Sequence, residues 1–443
     1  MLYRGAVGGY FRCAMHGFSY HDGSLCCEEV ELATLAAEHG TPLYVYSAAT
    51  ILDHYRRLDA ALTGVDHEVA YAVKANSNLA VLRLLANAGA GFDIVSGGEL
   101  FRVIQAGGDP AHCTFAGVGK TRAEIVYALE QGIYSFNVES EEELCYLNQV
   151  AGELGLLAPA AVRVNPNIDA QTHKYISTGK SENKFGVDFE AIGGLYERAA
   201  REYSNIKLRG LQMHIGSQLT SLAPFIEAVE KVAPLAEYLK ARHGLEFWSI
   251  GGGIGIIYKD ALASGAADWW QQQAGSDCPM TVRSYGAELV PRLKGLGLKI
   301  LVEPGRFIVG NAGVLLTRCL YEKKGAAKTF KIVDAGMNDL IRPALYEGYH
   351  EIVPLTQPTT AQRAVVDVVG PICESGDFFC QNRELPDIQP GDLVALMSAG
   401  AYGFTMASNY NSRPLPAEIL VTGAQATVVR QRQTLDDLIA GER

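Results

Sequence analysis

In His67-Glu68-Val69-Ala70-Tyr71-Ala72-Val73-Lys74-Ala75-Asn76, a mostly apolar run from His67 to Ala75 carries a lysine near its end. Its apolar and β-favouring residues read as a buried strand, with Lys74 near the C-terminal end. Strand ends open onto clefts, where an amine loses part of its hydration and its neutral, nucleophilic form is favoured. Such an amine can form an imine with a carbonyl substrate or cofactor. A solvated charge is the ordinary fate of a strand-end lysine, so the decapeptide gains weight only from its surroundings.

Seven further runs follow, at residues 91–96, 113–117, 135–140, 159–166, 208–216, 247–253 and 299–305. The first five of the eight start about 22 to 24 residues apart, the length of one strand-plus-helix unit. Helical patterns separate them. Residues 78–88 place Leu79, Leu82, Leu85 and Ala86 on one face, and Ser140-Glu141-Glu142-Glu143 has the form of a capping box. Eight alternating units predict an α/β fold, a (β/α)8 TIM-type barrel. An open doubly wound sheet is the competing arrangement. The count of eight, with polar residues gathered at the run ends, favours the barrel.

Beyond about residue 310 the texture changes. Residues 314–321, 329–333, 364–369, 393–397 and 426–430 read as strands, punctuated by Pro386 and Pro390-Gly391. The expected organisation is an N-terminal extension over 1–15, a segment at 16–46 joining the β domain, the barrel over 47–310 and a mostly β C-terminal domain over 311–443. Tyr20-His21-Asp22-Gly23 is hairpin-like, which suits pairing of the 16–46 segment with that second domain. The first fourteen residues are set apart as an extension ahead of Met15 or a tag remnant. Residues 258–287, with Trp269, Trp270 and three consecutive glutamines, are too long for a standard connector and read as an insertion or lid.

Of the 443 residues, 48% are apolar and 20% charged, and 38 basic against 49 acidic side chains leave a net charge of −11. This balance argues against nucleic acid as the main partner, and no apolar run reaches bilayer length. The nine cysteines, at 13, 26, 27, 113, 145, 278, 319, 373 and 380, include no Cys-x-x-Cys pair. A disulfide framework or metal site is not expected, and a reducing cytoplasm fits.

In a barrel, function gathers at the C-terminal strand ends. In order these carry Lys74, Asp93 with Ser96, Gly117, Glu139, Asn165, His214, Gly251-Gly252-Gly253 and Glu303. Backbone amides of the glycine triplet can approach an anion closely. Glu303-Pro304-Gly305-Arg306 follows the eighth run, and loops after strands seven and eight are the usual phosphate seat of this fold. Glu303 can hold an aromatic nitrogen protonated, His214 can lie flat on a ring, and Ser217 can bond a phosphate.

With these motifs the chain resembles the fold-type III pyridoxal-phosphate-dependent decarboxylases, most specifically the branch acting on diaminopimelate. The likeness rests on Tyr71–Asn76, Gly91–Glu99, His173–Gly179, His214-Ile215-Gly216-Ser217, the glycine triplet and Glu303–Arg306. It continues through Arg342-Pro343-Ala344-Leu345-Tyr346, Cys373-Glu374-Ser375-Gly376-Asp377 and Ala401-Tyr402-Gly403, spanning nearly the whole chain. The resemblance implies pyridoxal 5'-phosphate as cofactor, an alanine-racemase-like barrel plus β domain, and a homodimer with shared active sites. It implies that Lys74 holds the cofactor as an imine, that His214 stacks on its ring and that Glu303 faces the ring nitrogen. Asp93 belongs to the same cofactor set. Ser217, Gly252, Gly253, Gly305, Arg306 and Tyr402 would surround the phosphate and its approaches. Lys74 and Cys373 would be catalytic, the thiol returning a proton after CO2 leaves.

The far end of the substrate separates related enzymes. Ornithine, lysine and arginine decarboxylases release simple amines, whereas diaminopimelate presents a second amino-acid end. Arg306 and Arg342 suit its carboxylate, Glu374 its ammonium, and Tyr346 and Tyr402 add hydroxyls. The expected reaction is meso-diaminopimelate to L-lysine and CO2. The alternatives are another basic amino-acid decarboxylase, a non-catalytic cofactor-binding homologue, or a racemase on a related fold.

Overall fold

The computed structural model describes residues 15–168, 184–273 and 279–442. The expected motif at 173–179, the extension at 1–14 and residues 274–278 of the long connector lie outside them. Two compact units divide the chain. One comprises Leu52–Gly255 and Pro279–Phe307; the other comprises Met1–Ile51, Ile256–Cys278 and Ile308–Arg443.

The first unit is the barrel. Its strands are β1 (His67–Ala72), β2 (Gly91–Ile94), β3 (Cys113–Phe115), β4 (Ser135–Val138), β5 (Ala158–Asn165), β6 (Ile206–Met213), β7 (Phe247–Ser249) and β8 (Lys299–Val302). Each pairs in parallel with the next, and β8 returns to β1 through Ile300 opposite His67, which closes the cylinder. All eight expected runs therefore form barrel strands. The structured strands stop short of the runs, because the last residues of each run turn outward into the loops at the C-terminal rim.

Large side chains from these strands pack the barrel, by alternation some into its interior and others against the surrounding helices. Tyr71, Phe92, Phe115, Phe136, Phe247 and Trp248 are all fully buried. Phe115 and Phe136 stack at 6.0 Å between centroids on adjacent strands. On β6, a Cβ at position 210 would lie 2.1 Å from the Phe247 ring, so a glycine there is what allows that ring to occupy the interior.

Helix caps explain several helix starts. Asn78 accepts from the Ala80 amide at 2.9 Å and opens Leu79–Asn87. The apolar face of that helix is offset from the expected one: Val81, Leu82 and Leu85 are buried, whereas Leu79 is exposed, because it sits in the first turn beside the cap. Ser140 caps Glu141–Glu153 by accepting from the Glu143 amide at 3.1 Å. The expected capping box is only half made. Glu143 turns to the Glu139 amide at 2.8 Å and to Lys120 Nζ at 2.7 Å, because a buried ammonium is a stronger partner than a helix-end amide.

The second unit is mostly β, as expected. Its main sheet runs Phe378–Pro386, Arg363–Val369, Thr329–Val333, Gly313–Lys324, Leu43–Ser47, Ala417–Thr422 and Gln425–Arg430. Leu393–Leu396 pairs with Gly313–Lys324 and with Ile352–Pro354. Phe18–His21 and Ser24–Cys27 form the expected hairpin, with Asp22 and Gly23 both at positive φ (49° and 84°) in the turn. Leu43–Ser47 sits inside the main sheet, antiparallel to Gly313–Lys324 and parallel to Ala417–Thr422. Part of the long connector belongs to this unit. Ala261 is buried in its core, His16 Nε2 lies 2.7 Å from the Ala261 carbonyl, and the Leu262 amide donates to Glu351 at 2.8 Å. Among the described residues no helix is long and apolar enough to cross a membrane.

Candidate active site

At the C-terminal end of the barrel, β1 passes directly into a single 3-10 turn, Val73–Ala75, which carries Lys74. Its Nζ donates to Asp93 Oδ2 at 2.7 Å. Asp93 lies on β2 at 1% exposure, and its Oδ1 has no hydrogen-bond partner among the described residues. A buried carboxylate with an open acceptor is costly unless a further group or charge serves it.

Glu303 follows β8 and is also buried. Ser249 Oγ donates to Oε1 at 2.6 Å and Gln212 Nε2 donates to Oε2 at 2.9 Å. Both oxygens are thus held in a fixed plane by strands β7 and β6. Burial, and then repulsion from Asp93, pushes the Glu303 carboxyl up to about 7. A cation brought beside it would reverse that shift.

His214 follows β6. The Gly252 amide donates to its Nδ1 at 3.2 Å. An acceptor at Nδ1 places any ring proton on Nε2. Desolvation, with Arg163 and Lys74 nearby, holds the imidazole well below its usual range and therefore neutral. Gly252 itself stands where a Cβ would lie 2.1 Å from the Glu303 carbonyl, and Gly253, at φ 107°, where one would lie 2.5 Å from the Gly216 carbonyl. Only glycine lets the loops after β6, β7 and β8 converge here. Arg306 is buried beside them and donates to Ser217 Oγ at 3.1 Å. Gly305 lies between Arg306 and Pro304, whose carbonyl accepts the Ala72 amide at 3.0 Å.

Three residues not singled out from sequence, Arg163, Gln212 and Ser249, support this rim. Arg163 donates to both oxygens of Glu139 at 3.1 Å, and that carboxylate also accepts the amides of Gly117 and Gly186. Gln212 and Ser249, which orient Glu303, were hidden inside strands. Their signal was two polar residues at positions where a packing barrel wants apolar ones.

The remaining expected residues belong to the β-rich unit. Arg342 opens the short helix Arg342–Tyr346 and is buried; Tyr346 at its end is half-buried. Cys373 and Glu374 are exposed on the loop leaving Arg363–Val369. The Cys373 amide donates to Asn411 Oδ1 at 3.1 Å, and Glu374 accepts a short hydrogen bond from the Tyr410 hydroxyl. Tyr402 sits at φ 55° in the segment after Leu393–Leu396. Asp377 ties two of these segments together. Its Oδ1 accepts the Met337 amide at 2.7 Å and its Oδ2 the Ile372 amide at 2.6 Å, so one buried carboxylate joins the chain leading to Arg342 with the Cys373 loop.

The barrel rim thus presents a lysine–aspartate pair, a braced acid, a neutral imidazole and a glycine-built turn. Residues 48–310 fit the family described as "Pyridoxal-dependent decarboxylase, pyridoxal binding domain". The diaminopimelate decarboxylase of Pseudomonas aeruginosa is 50% identical over 429 residues, covering 97% of this chain and 99% of the relative. This chain belongs to the diaminopimelate decarboxylase family. The enzyme of that name from Vibrio cholerae is 48% identical over 431 residues, with the same coverage. Among solved structures, the diaminopimelate decarboxylase of Helicobacter pylori complexed with L-lysine superposes with a TM-score of 0.85. It is 41% identical, covering 93% of this chain and 98% of that one.

Proposed function

We propose that this chain is a carboxy-lyase that converts meso-diaminopimelate to L-lysine and CO2, using pyridoxal 5'-phosphate. The observation that carries the reading is the rim constellation of Lys74, Asp93 and Glu303 on a barrel of this family. Fit to the cofactor is supported by the open acceptor on Asp93, the braced and charge-seeking Glu303 and the close-packed glycine turn.

Pyridoxal phosphate supplies, when bound, a ring that accepts electron density as the substrate's carboxyl group departs. Lys74 would hold it through Nζ, and the 2.7 Å bond to Asp93 aims that nitrogen. Glu303 would hold the ring nitrogen protonated, and its bracing by Ser249 and Gln212 means no reorganisation is needed. A neutral His214 would lie on the ring without adding charge. Ser217, Gly252, Gly253, Gly305, Arg306 and Tyr402 would bind or flank the phosphate.

In this reading Arg306, Arg342, Tyr346, Glu374 and Tyr402 select the second amino-acid end of the substrate. Cys373 Sγ carries the proton that the substrate carbon takes up once CO2 has gone. A homodimer with shared sites and a cytoplasmic setting complete the proposal. The test is incubation of the purified protein with pyridoxal phosphate and meso-diaminopimelate, measuring CO2 and L-lysine together. Release of both supports the reading; no lysine, with CO2 from ornithine or arginine instead, moves it to the alternative substrates.

A further inference from the structure

We propose that His350 is a positioning residue that fixes the Arg342 guanidinium for the amino-acid end of the substrate. The proposal rests on the reading of Arg342 given above. His350 is fully buried, in the stretch between Arg342–Tyr346 and Ile352–Pro354. Its Nδ1 lies 2.8 Å from the Met397 carbonyl, and its Nε2 lies 2.7 Å from Arg342 Nη1. A carbonyl can only accept and a guanidinium can only donate. Nδ1 therefore carries the hydrogen, and Nε2 offers its lone pair to the arginine. Both ring nitrogens are used, and the tautomer follows from the two partners.

Tyr258 completes the seat. The Arg342 guanidinium carbon lies 4.7 Å from the centroid of the Tyr258 ring, and that ring meets the imidazole edge-on at 5.4 Å and 81°. A hydrogen bond at Nη1 and an aromatic ring against Cζ together define the plane of the guanidinium. The chemistry of these two partners matters as much as their geometry. A carboxylate at position 350 would orient the arginine equally well but would cancel its charge, and an incoming carboxylate would then have to compete for it. A neutral imidazole and a phenol ring orient the cation without placing a negative charge of their own on it. His350 thus acts through Arg342, upon a ligand that carries a carboxylate.

The experiment compares two ligands on the pyridoxal-phosphate-loaded enzyme. L-lysine retains the amino-acid end; 1,5-diaminopentane lacks its carboxylate. His350→Phe removes both hydrogen bonds while keeping an aromatic ring. His350→Gln has an amide able to donate to Met397 and accept from Arg342. For His350→Phe, the Kd for L-lysine and the KM for diaminopimelate should each rise about tenfold or more. The Kd for 1,5-diaminopentane should stay within about twofold and kcat within about threefold. His350→Gln should recover most of the loss. Equal weakening of both ligands, or no change in either, overturns the proposal, because a merely structural histidine cannot tell them apart. If His350→Phe does not fold, His350→Asn, whose shorter amide cannot span both partners, replaces it with the same expected split. Arg342→Lys is measured alongside: if it leaves the preference for L-lysine intact, the reading of Arg342 has failed and the proposal falls with it. A selective Arg342→Lys with an unselective His350→Phe rejects the role of His350 alone.

Discussion

Asp93 is 1% exposed and accepts a 2.7 Å hydrogen bond from Lys74 Nζ, whose side chain is 41% exposed. The counter-charge is shielded while the amine stands at the rim. An exposed pair contributes little to stability, but stripping the cation from a buried carboxylate leaves that carboxylate uncompensated.

Lys74→Ala should therefore have two separable effects. Absorbance from lysine-bound cofactor should vanish on mixing with pyridoxal phosphate, and the cofactor-free protein should lose about 2 kcal/mol of stability. The double variant Lys74→Ala/Asp93→Asn should recover much of that stability and none of the absorbance. Spectra and urea titrations on the same samples check both; a persisting absorbance band would remove Lys74 from its assigned role.

Glu303 sets a pH dependence with a definite sign. Its carboxyl is lifted from the usual 4.5 to about 7, so between those values the folded protein holds the proton more tightly than the unfolded chain. The stability this group contributes is fully present below pH 4.5 and is lost as the pH rises through 7. The cofactor-free protein should weaken across that window by on the order of 2 kcal/mol relative to Glu303→Gln. Urea midpoints at pH 5 and pH 7.5 for both proteins measure it. Identical slopes would mean that Glu303 ionises as an ordinary carboxylate.

Gly252→Ala places a methyl group 2.1 Å from the Glu303 carbonyl, in the backbone and not at the end of a mobile side chain. The loops after β7 and β8 must separate to admit it. Affinity for pyridoxal phosphate should fall at least about tenfold, with the fold preserved because the strain is confined to the rim. Fluorescence titration with the cofactor and a circular dichroism spectrum check the two halves of the expectation.

Asp377→Ala removes the carboxylate shared by the Met337 and Ile372 amides. Each orphaned amide costs about 1 to 3 kcal/mol if it stays buried, so Tm should drop. Arg342 and Cys373 sit on the two segments that lose their tie, so KM should rise and kcat should fall together. Asp377→Asn keeps one acceptor and should lie between the two proteins. A variant with lowered Tm and unchanged kinetics would confine Asp377 to stability.

The barrel was legible because each strand-and-helix unit is local, and its period survives in the order of residues. Lys74, Glu303 and the glycine triplet were visible for the same reason, since a strand end marks its own position. Much of what stayed hidden depends on contacts distant in the chain. Ile352–Pro354 was not expected as a strand because its partner Leu393–Leu396 lies far along the chain, and Phe378–Pro386 and Ala417–Thr422 were missed because their residues do not alternate cleanly between apolar and polar. His350 looks like any lone histidine until Met397 and Arg342 are placed beside it. Asp377 stood in a recognised motif but was passed over, because its task is to accept backbone amides and no side-chain pattern announces that.

The position of Leu43–Ser47 bears on how the molecule is made. One of its sheet neighbours begins at Gly313 and the other at Ala417. During synthesis this segment precedes the whole barrel and must wait, without either of its sheet neighbours, while the barrel is produced. Its last neighbour, Ala417–Thr422, is made only after the barrel and most of the β-rich strands. Nascent chains stopped before residue 417 would carry an apolar strand with an open edge, a template for joining other chains. Protein truncated there should collect in aggregates, while chains carried past Arg430 remain dispersed.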